Sequence, residues 1–381
     1  MLDEGKKMFE KLKSLLSTKS SATSSIVALH TAGRPQWTPL NYGALAKTGF
    51  AGNVVGYRSV RMVAEAAASI PLLLYVGGKE VTSHPLLSLL QRPNAAQTGR
   101  EWLENFFAYL MVAGNAYAEL VTLDEAPREL FVLRPDRMQV VPSRAGWPEA
   151  YEYSVGGQSV RMPREHVLHV KMFNPVDDYY GLSPLEAAAR SIDTHNAASA
   201  WNKAMLDNAA RPSGALVFSN GDGSLTTEQF DRLKAELENT YQGAANAGRP
   251  MILEGGLDWK EMGFSPKEME FIEAKNIASR EIALAFGVPP MLLGIPGDNT
   301  YANYAEANRV LWRQTVVPLA CRMADGLAQL LQPYAEGDLK LVPDLDQVEA
   351  LAPDRDALWK RVNDAAFLTV DEKRAAVGYG V

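Results

Sequence analysis

The chain has 381 residues, 47% of them hydrophobic and 22% charged, so it can form hydrophobic cores and is neither fibrous nor wholly disordered. Its net charge of −7 argues against a protein that holds nucleic acid by neutralising phosphates, because such proteins carry basic patches. Cys321 is the single cysteine, which excludes an intrachain disulfide and predicts a buried, unreactive thiol.

The first 49 residues are predicted to form an N-terminal arm that is partly disordered. Residues 1–20 mix lysines with spaced apolar residues, a pattern typical of a frayed amphipathic helix and not of a signal peptide. Residues 17–50 are rich in Ser, Thr, Gly and Pro and have no periodicity. No run approaches the roughly 20 apolar residues that a membrane span needs, so we expect a soluble, intracellular protein.

Residues 50–182 alternate helix and strand signals, which predicts an α+β domain. Residues 57–69 have helical spacing, and a strand over 72–76 turns at a Gly-Gly pair. Thr98 and Glu101 form a capping box for a helix that Gly114 ends. Further strands are predicted at 80–81, 116–122, 130–133, 138–141, 151–155 and 167–171.

Two long helices follow, each opened by a Ser-Pro-x-Glu string. Ser183 begins a helix over 183–210, and Ser265 begins another over 265–286. Their lengths are roughly 38 and 30 Å at 1.5 Å per residue, and alanines along the first permit close packing of a neighbouring helix. Between them, two strands flank a helix that Thr226 opens, which predicts a small α/β unit. The strands are predicted at 214–218 and 251–254.

Residues 287–304 are dense in Gly, Pro and Asn, so they must interrupt the second long helix. Asn303 and Glu306 then open a further long helix toward residue 331. The tail, 333–381, contains a strand at 339–342, an acidic stretch through Asp356 and a short helix from Thr369 to Gly378.

Several strings, in the same order along residues 50–381, resemble the phage portal protein family, the head-to-tail connectors of tailed bacteriophages and of phage-derived gene transfer agents. The most particular is RPNAAQTGREW followed by GNAYAEL. Others are EHVLHVKMF, YYGLSPLEAAA, SPKEMEFIEAKNIASREIALAFGVPPMLLG and FLTVDEKRAAVGYG. The resemblance does not include the first 50 residues.

This resemblance implies a portal-type α+β subunit with an α/β wing, two long stem helices, a small α/β clip, a tunnel loop and a helical crown. Such subunits assemble into a ring, usually of twelve, around a DNA channel. The implied ranges are 50–182 for the wing, 183–210 and 265–286 for the stem, 211–264 for the clip, 287–304 for the tunnel loop, 305–332 for a wing helix and 333–381 for the crown.

The resemblance also implies a function and its partners. The ring would occupy one capsid vertex of a virion or phage-like particle, assembled in the host bacterial cytoplasm, and would be the channel for DNA packaging and ejection. Its partners would be the terminase large subunit, a tail adaptor or head completion protein, the major capsid protein and double-stranded DNA. The sequence leaves open the ring copy number, whether the particle is an infectious phage or a gene transfer agent, and the contacts of each partner.

The tunnel loop supplies the predicted DNA-channel residues. They are Ile295, Asp298, Asn299, Thr300, Tyr301 and Asn303. The second long helix carries three basic and four acidic residues, so we expect DNA to slide past it rather than bind. The basic residues are Lys267, Lys275 and Arg280, and the acidic ones are Glu268, Glu270, Glu273 and Glu281.

No catalytic motif stands out, and the prediction is a protein that is not an enzyme and holds no cofactor or metal. The chain lacks a Walker-type phosphate loop, a GxSxG string, an HExxH string and paired cysteines. His166 and His169 are expected on opposite faces of one strand, and His195 on a helix surface. The acidic set from Asp344 to Asp356 lacks the glycine and final glutamate of a calcium loop.

Two alternatives stay open at this point. One is a soluble α/β enzyme with a site built from Asp177, Asp178 and His169 in a cleft, which would form small oligomers and bind a ligand saturably. The other is an adhesive capsid or head-completion protein, which would lack the two capped long helices.

Overall fold

The computed structural model describes residues 35–207, 214–218, 226–228, 231–232, 235, 257–261, 271–297 and 301–378. The chain divides into Met1–Trp37 and Thr38–Val381, and the elements below belong to the second unit. Residues 1–34 of the predicted arm, the middle of the predicted clip and the start of the second long helix lie outside the described residues. The end of the arm, predicted to lack periodic structure, is helical from residue 42.

The helices are numbered in chain order over the described residues. They are α1 Tyr42–Leu45, α2 Val54–Ala68, α3 Pro85–Gln91, α4 Gly99–Ala113, α5 Pro184–Ala187, α6 Ala189–Asp207, α7 Phe271–Ala285, α8 Tyr301–Leu311, α9 Val317–Leu331, α10 Ala352–Asp364 and α11 Val370–Ala376. Two π-helical segments, Ala46–Ala51 and Trp312–Val316, continue α1 and join α8 to α9. Among these residues every helix is too short or too polar to serve as a membrane span.

The described strands form small antiparallel sheets, which confirms the α+β prediction. The strands are β1 Leu72–Val76, β2 Lys79–Glu80, β3 Asn115–Leu123, β4 Ala126–Leu133, β5 Met138–Pro142, β6 Pro148–Val155, β7 Gln158–Pro163, β8 Val167–Lys171, β9 Gly214–Phe218, β10 Leu257–Glu261 and β11 Leu339–Pro343. They pair in the orders β11-β1-β2, β4-β3-β8, β5-β6-β7 and β10-β9.

Helix α4 lies at the centre of the core, and its sequence explains its ends. The Thr98 N–H donates to Glu101 Oε2 at 2.8 Å and the Glu101 N–H donates back to Thr98 Oγ1 at 3.3 Å, so the predicted capping box is confirmed. Gly114 ends the helix with φ of 69°, a left-handed conformation that favours glycine. The rings of Trp102 and Phe106 stack at 5.4 Å and are buried against the other core helices.

The predicted long helix toward residue 331 has a π segment in its middle. Pro318 lies in the first turn of α9 and has no N–H, so it cannot continue the α-helical hydrogen bonds from α8. The wider π turn over Trp312–Val316 absorbs this mismatch without ending the helix. Leu327 and Leu331 of α9 are fully buried in the main core.

Strand β11 differs from the predicted division at residue 333. It pairs antiparallel with β1, placing Leu341 opposite Leu74, and Leu339 and Leu341 are buried in the same core as α4. The strand therefore belongs to the sheet that begins at residue 72, and only the helices beyond it can form a separate crown. Because the paired residues are 267 positions apart in the chain, neither strand's own sequence indicates this pairing.

Other elements also depart from the prediction. Helices α3 and α10 and strand β7 were not predicted, since α3 and β7 are short and α10 lies in a stretch rich in charged residues with few apolar ones. The predicted strand 251–254 lies outside the described residues, whereas β10 at Leu257–Glu261 pairs with β9. His166 lies in a 3-10 turn just before β8, not on the strand itself.

Candidate functional site

The first of the two long helices begins where the sequence predicts. Ser183 Oγ accepts a hydrogen bond from the Glu186 N–H at 2.9 Å, and Pro184 occupies the first helical position. A turn at Ala188, with φ of −85° and ψ of 0°, separates α5 from α6, so the helix is not continuous from its cap. The described part ends at Asp207, and residues 208–210 of the predicted span lie outside it.

Helix α6 packs against α7, which is the described part of the second long helix. Ser191 Oγ donates to Glu281 Oε2 at 2.7 Å across the pair. Small and branched apolar residues fill the space between the two helices, since Ile192, Ala278 and Ile282 are buried. The close packing of a neighbouring helix, which the alanines of the first long helix permit, is therefore observed between α6 and α7.

A buried polar junction fixes the base of α6. Asn53 Nδ2 lies 3.1 Å from Nδ1 of His195 and donates to Asn196 Oδ1 at 2.8 Å. Asn53 Oδ1 accepts from the backbone N–H groups of Val55 and Gly56, so the same side chain caps α2.

His195 at this junction is only 5% exposed, which corrects the expectation of a surface histidine. Burial, together with the nearby charge of Lys275, lowers its pKa. The neutral ring accepts from Asn53 through Nδ1, so its proton is on Nε2.

The π-helical segment after α1 also packs on this base. A Cβ on Gly49 would lie 2.8 Å from Leu185 Cδ1 and 3.2 Å from Ile192 Cδ1, so a larger residue would require these side chains to shift. Asn196 Nδ2 donates to the Thr48 carbonyl at 3.1 Å, and Thr38 Oγ1 donates to Asp193 at 2.6 Å. Helix α6 is therefore held along its first three turns.

The segment after α7 is anchored at several points up to residue 297. Gly287 has φ of 64°, and its carbonyl accepts from Thr315 Oγ1 at 2.8 Å, which ties the end of α7 to the π segment. Ile295 is 7% exposed and lies in the main core, and Arg280 donates to the Pro296 carbonyl. The segment therefore leaves the helix pair in one defined direction.

The predicted DNA-channel residues divide into three groups. Ile295 is buried, so it anchors the segment and does not offer a surface to DNA in this subunit. Tyr301 and Asn303 lie in the first turn of α8, because the helix begins at 301 and not at 305. Asp298, Asn299 and Thr300 lie outside the described residues, and their role stays a prediction.

The exposed side of α7 carries no basic stripe over its described residues. The charged residues there are two basic and two acidic, namely Lys275, Arg280, Glu273 and Glu281. Ile272, Ile277 and Leu284 are 75%, 48% and 77% exposed, so this face is largely apolar and neutral. Such a surface has little attraction for phosphates.

Both ring nitrogens of His169, the histidine of the alternative enzyme site, have hydrogen-bond partners within the fold. His169 Nε2 lies 3.1 Å from Asn115 Oδ1, and Nδ1 lies 3.4 Å from the Tyr151 hydroxyl. The ring stacks on Tyr117 at 4.2 Å. Burial, with a smaller effect of Lys171, lowers the pKa of His169 to about 3. A ring that stays neutral and is bonded at both nitrogens is a poor general base at neutral pH.

The two aspartates proposed with His169 do not join it. Asp177 Oδ1 accepts from the backbone N–H groups of Tyr179 and Tyr180 at 2.7 and 2.9 Å, and the Asp178 carbonyl accepts from Lys171. No group of three or more His, Cys, Asp and Glu side chains in the described part of the chain is arranged to hold a metal ion. The three residues proposed for the alternative enzyme site are thus each held by separate structural bonds in the described part of the chain.

Sequence reasoning missed three residues of this region. Asn53, Asn115 and Thr315 each hold two elements together. Asn53 carried a recognisable signal, because asparagine is a preferred N-cap and lies shortly before the helix predicted from residue 57, which begins at Val54. Asn115 and Thr315 carried none, since their partners are 66 and 28 residues away in the chain.

Comparisons with known proteins agree with this geometry. A family model described as phage portal protein matches residues 55–378. A protein of Rickettsia bellii is 41% identical over 334 residues, which is 86% of this chain and 86% of that one.

Two solved structures of gene transfer agent (GTA) particles are also similar. A chain from the neck of the empty particle, computed with C6 symmetry, is 54% identical with a TM-score of 0.71, covering 93% of this chain and 98% of that chain. A chain from the neck of the native particle, computed with C12 symmetry, is 53% identical with a TM-score of 0.69, covering 94% and 99%.

Proposed function

Because this chain belongs to the phage portal protein family, we propose that it is the portal subunit of a phage or gene transfer agent particle and forms a ring at one capsid vertex. The observation that carries the proposal is the anchored pair of α6 and α7, set at the base by Asn53 and His195. The similarity to chains from particle necks, over nearly the whole of both chains, supports the same assembly.

The ring has twelve subunits in this proposal. A ring requires a heterologous contact, in which one surface of a subunit meets a different surface of the next and rotation closes the circle. The relative whose neck was computed with C12 symmetry supports this copy number. Such a ring belongs to the particle and assembles in the host bacterial cytoplasm.

The central channel passes double-stranded DNA during packaging and ejection. The balanced charge on the exposed side of α7 suits a wall that DNA slides along, because a basic wall would hold the phosphates. The segment 287–304 acts as the tunnel loop, and its described part is anchored at Gly287 and Ile295.

The remaining parts act by position and not by chemistry. The clip, 211–264, docks the terminase large subunit, which supplies the energy for packaging. The wing meets the major capsid protein, and a tail adaptor or head completion protein binds after packaging. The subunit has no catalytic role in this proposal, in keeping with the structural bonds that occupy His169.

End-on negative-stain electron microscopy of the purified protein, combined with its native mass, tests the ring. We expect particles with a central hole and a mass of twelve subunits. Monomers or dimers at every salt and protein concentration would contradict the ring and would justify a ligand screen for the enzyme alternative.

A three-residue deletion tests the tunnel loop within that ring. Removing 298–300 should leave rings intact and reduce DNA packaging or retention, because the anchors of the loop remain. A longer deletion from 295 would also remove a buried core side chain, so it cannot separate assembly from packaging. The matched control shortens the turn at Gly156 and Gly157, where an added Cβ would meet nothing within 4 Å. Normal packaging by the loop deletion would contradict the gating role.

A further inference from the structure

Strand β11 forms one edge of its sheet, because β1 is its only strand partner among the described residues. The Val81 N–H donates to the Leu74 carbonyl at 2.8 Å, so the main-chain groups of Leu74 point away from β11. In an antiparallel pair the main-chain groups of the opposite residue, here Leu341, then point outward as well. The N–H and C=O groups of Leu339 and Leu341 therefore form the outer edge of β11. Such an edge can pair with a strand of another chain.

The side chain of Gln332 occupies the first part of this outer edge. Gln332 directly follows α9, and its Oε1 accepts from the Leu339 N–H at 3.0 Å. Its Nε2 donates to the Gly337 carbonyl at 2.8 Å. The carboxamide thus bonds to two main-chain groups that a neighbouring strand would otherwise use. Beyond it, the edge opens onto a groove of about 600 Å³ between α9 and β11, whose lining includes Gln329 and Leu341.

An identical edge in a second copy of this chain is the simplest partner for this edge. Two β11 strands paired antiparallel about Leu341 would let the two Leu341 residues exchange main-chain hydrogen bonds. Each Leu339 N–H would then face the Pro343 carbonyl of the other copy. Such a two-fold pair joins a surface to itself, unlike the head-to-tail contact of the proposed ring.

Several features of the edge oppose this two-fold pair. Gln332 already holds the Leu339 N–H, and Pro343 has no N–H to donate in return. Asp338 and Asp344 each lie three positions from Leu341, so Asp338 of one copy would lie opposite Asp344 of the other. Like charges directly opposite each other destabilise a pair of strands. The edge is therefore blocked by a hydrogen-bonding group, a missing donor and charge.

We propose that Gln332 is an edge-blocking residue, which keeps β11 from pairing with β11 of a second copy. The carboxamide stands beside the edge at the end of α9, so it bonds within one chain. A strand of a second copy must lose translational and rotational freedom to reach the same groups, and the carboxamide therefore prevails. The proposal does not rest on the ring, but the block leaves each subunit free for a head-to-tail contact.

Gln332→Leu tests the block, because leucine is of similar size and removes both hydrogen bonds. In sedimentation velocity of the full-length chain, the association constant of the two-copy species should rise about tenfold, since each copy gains a free main-chain donor. The matched control is Gln329→Leu, one turn earlier on α9, which adds the same apolar surface to the groove and leaves the Leu339 N–H bonded.

The two-copy species is counted among chains outside any ring, so neither outcome bears on the ring. An association constant no higher for Gln332→Leu than for Gln329→Leu would overturn the proposal. The bonds of Gln332 would then only close the turn over 333–338, and a lower thermal midpoint without association would be their whole effect.

Removal of the opposed charges gives a second measurement, which does not depend on the Gln332→Leu chain. Asp338→Asn should raise the two-copy association constant about threefold, because its carboxylate would no longer oppose Asp344 of the second copy. The ion pair that it loses with Lys340, at 3.6 Å, is largely exposed and contributes little to stability. Glu336→Gln makes the same change of net charge at an exposed position before the paired residues and should have no effect. Equal effects of the two variants would contradict pairing through β11.

Discussion

The side-chain amide of Asn53 lies 3.1 Å from Nδ1 of His195, and this buried contact joins the N-cap of α2 to the second turn of α6. Because Asn53 also caps α2 through two backbone N–H groups, a single residue sets the end of one helix and the position of another. Asn53 therefore fixes the direction in which α6 leaves the residues before it, and the proposed ring needs such a fixed direction if neighbouring subunits are to meet at a constant angle.

Replacement of Asn53 by Ala should destabilise the chain by about 2–4 kcal/mol. Loss of an N-cap costs about 1 kcal/mol, and each buried polar group left without a partner costs about 1–3 kcal/mol. Urea unfolding of the variant measures this free energy. The control is Asn41→Ala, which removes an exposed N-cap of α1 without touching α6 and should cost about 1 kcal/mol. Equal costs for the two variants would show that the contact with His195 contributes nothing.

Acid should weaken the sheet that contains His169. The pKa of this histidine is lowered to about 3 in the folded chain, below its ordinary value of 6.5, because the ring is buried and, to a smaller extent, because the charge of Lys171 lies nearby. Between these two values the unfolded chain binds more protons, so stability is complete above pH 6.5 and falls as the pH drops toward 3.

The check is the urea midpoint of the parent and of His169→Gln between about pH 7 and pH 4.5, a window that lies above the folded pKa. Glutamine keeps a donor for Asn115 Oδ1 but does not titrate, so its midpoint should fall less than that of the parent. Parallel falls would show that other groups carry the acid sensitivity.

Gly181→Ala should prevent folding at 37 °C or destabilise the chain by more than about 3 kcal/mol. A Cβ at this position would lie 2.1 Å from the Gly114 carbonyl oxygen and 2.7 Å from the Met172 N–H nitrogen, and neither backbone can move without breaking the bond between them. The measurement is the soluble yield and thermal midpoint. Gly157→Ala, which meets nothing within 4 Å but has φ of 82°, isolates the cost of backbone strain and should lose about 1 kcal/mol.

Thr315→Val should loosen the start of the proposed tunnel loop with little loss of global stability. The variant removes the hydroxyl that donates to the Gly287 carbonyl at 2.8 Å, a hydrogen bond worth about 1 kcal/mol. Hydrogen exchange should become about fivefold faster over Gly287–Ile295, since about 1 kcal/mol corresponds to that factor. Thr194→Val, which removes a bond within α6 to the Arg190 carbonyl, should leave exchange in this segment unchanged.

Elements whose signals lie within four residues were predictable from the sequence. Thr98 with Glu101, Thr369 with Glu372, and Ser183 with Pro184 begin helices at the predicted positions, because each N-cap oxygen bonds to an N–H of its own first turn. The family could likewise be identified from the order of the sequence motifs along residues 50–381, since that order is visible in the sequence alone.

Contacts between residues that are distant in the sequence could not be predicted without the folded structure. The sequence placed Ile295 in an exposed loop and His195 on a helix surface, and packing buried both, because neither residue has a local partner that reports its surroundings. The same holds for β11, which pairs with β1 although the paired residues are 267 positions apart. It also holds for Thr315, which lies in the π segment and donates a hydrogen bond to the Gly287 carbonyl. The sequence by itself determined the class, the capped helices and the family, since these depend on short-range bonds and on order. Only the tertiary structure decided which side chains hold the long helices and the segment after α7 in position, because burial and hydrogen bonds between distant residues depend on the folded chain.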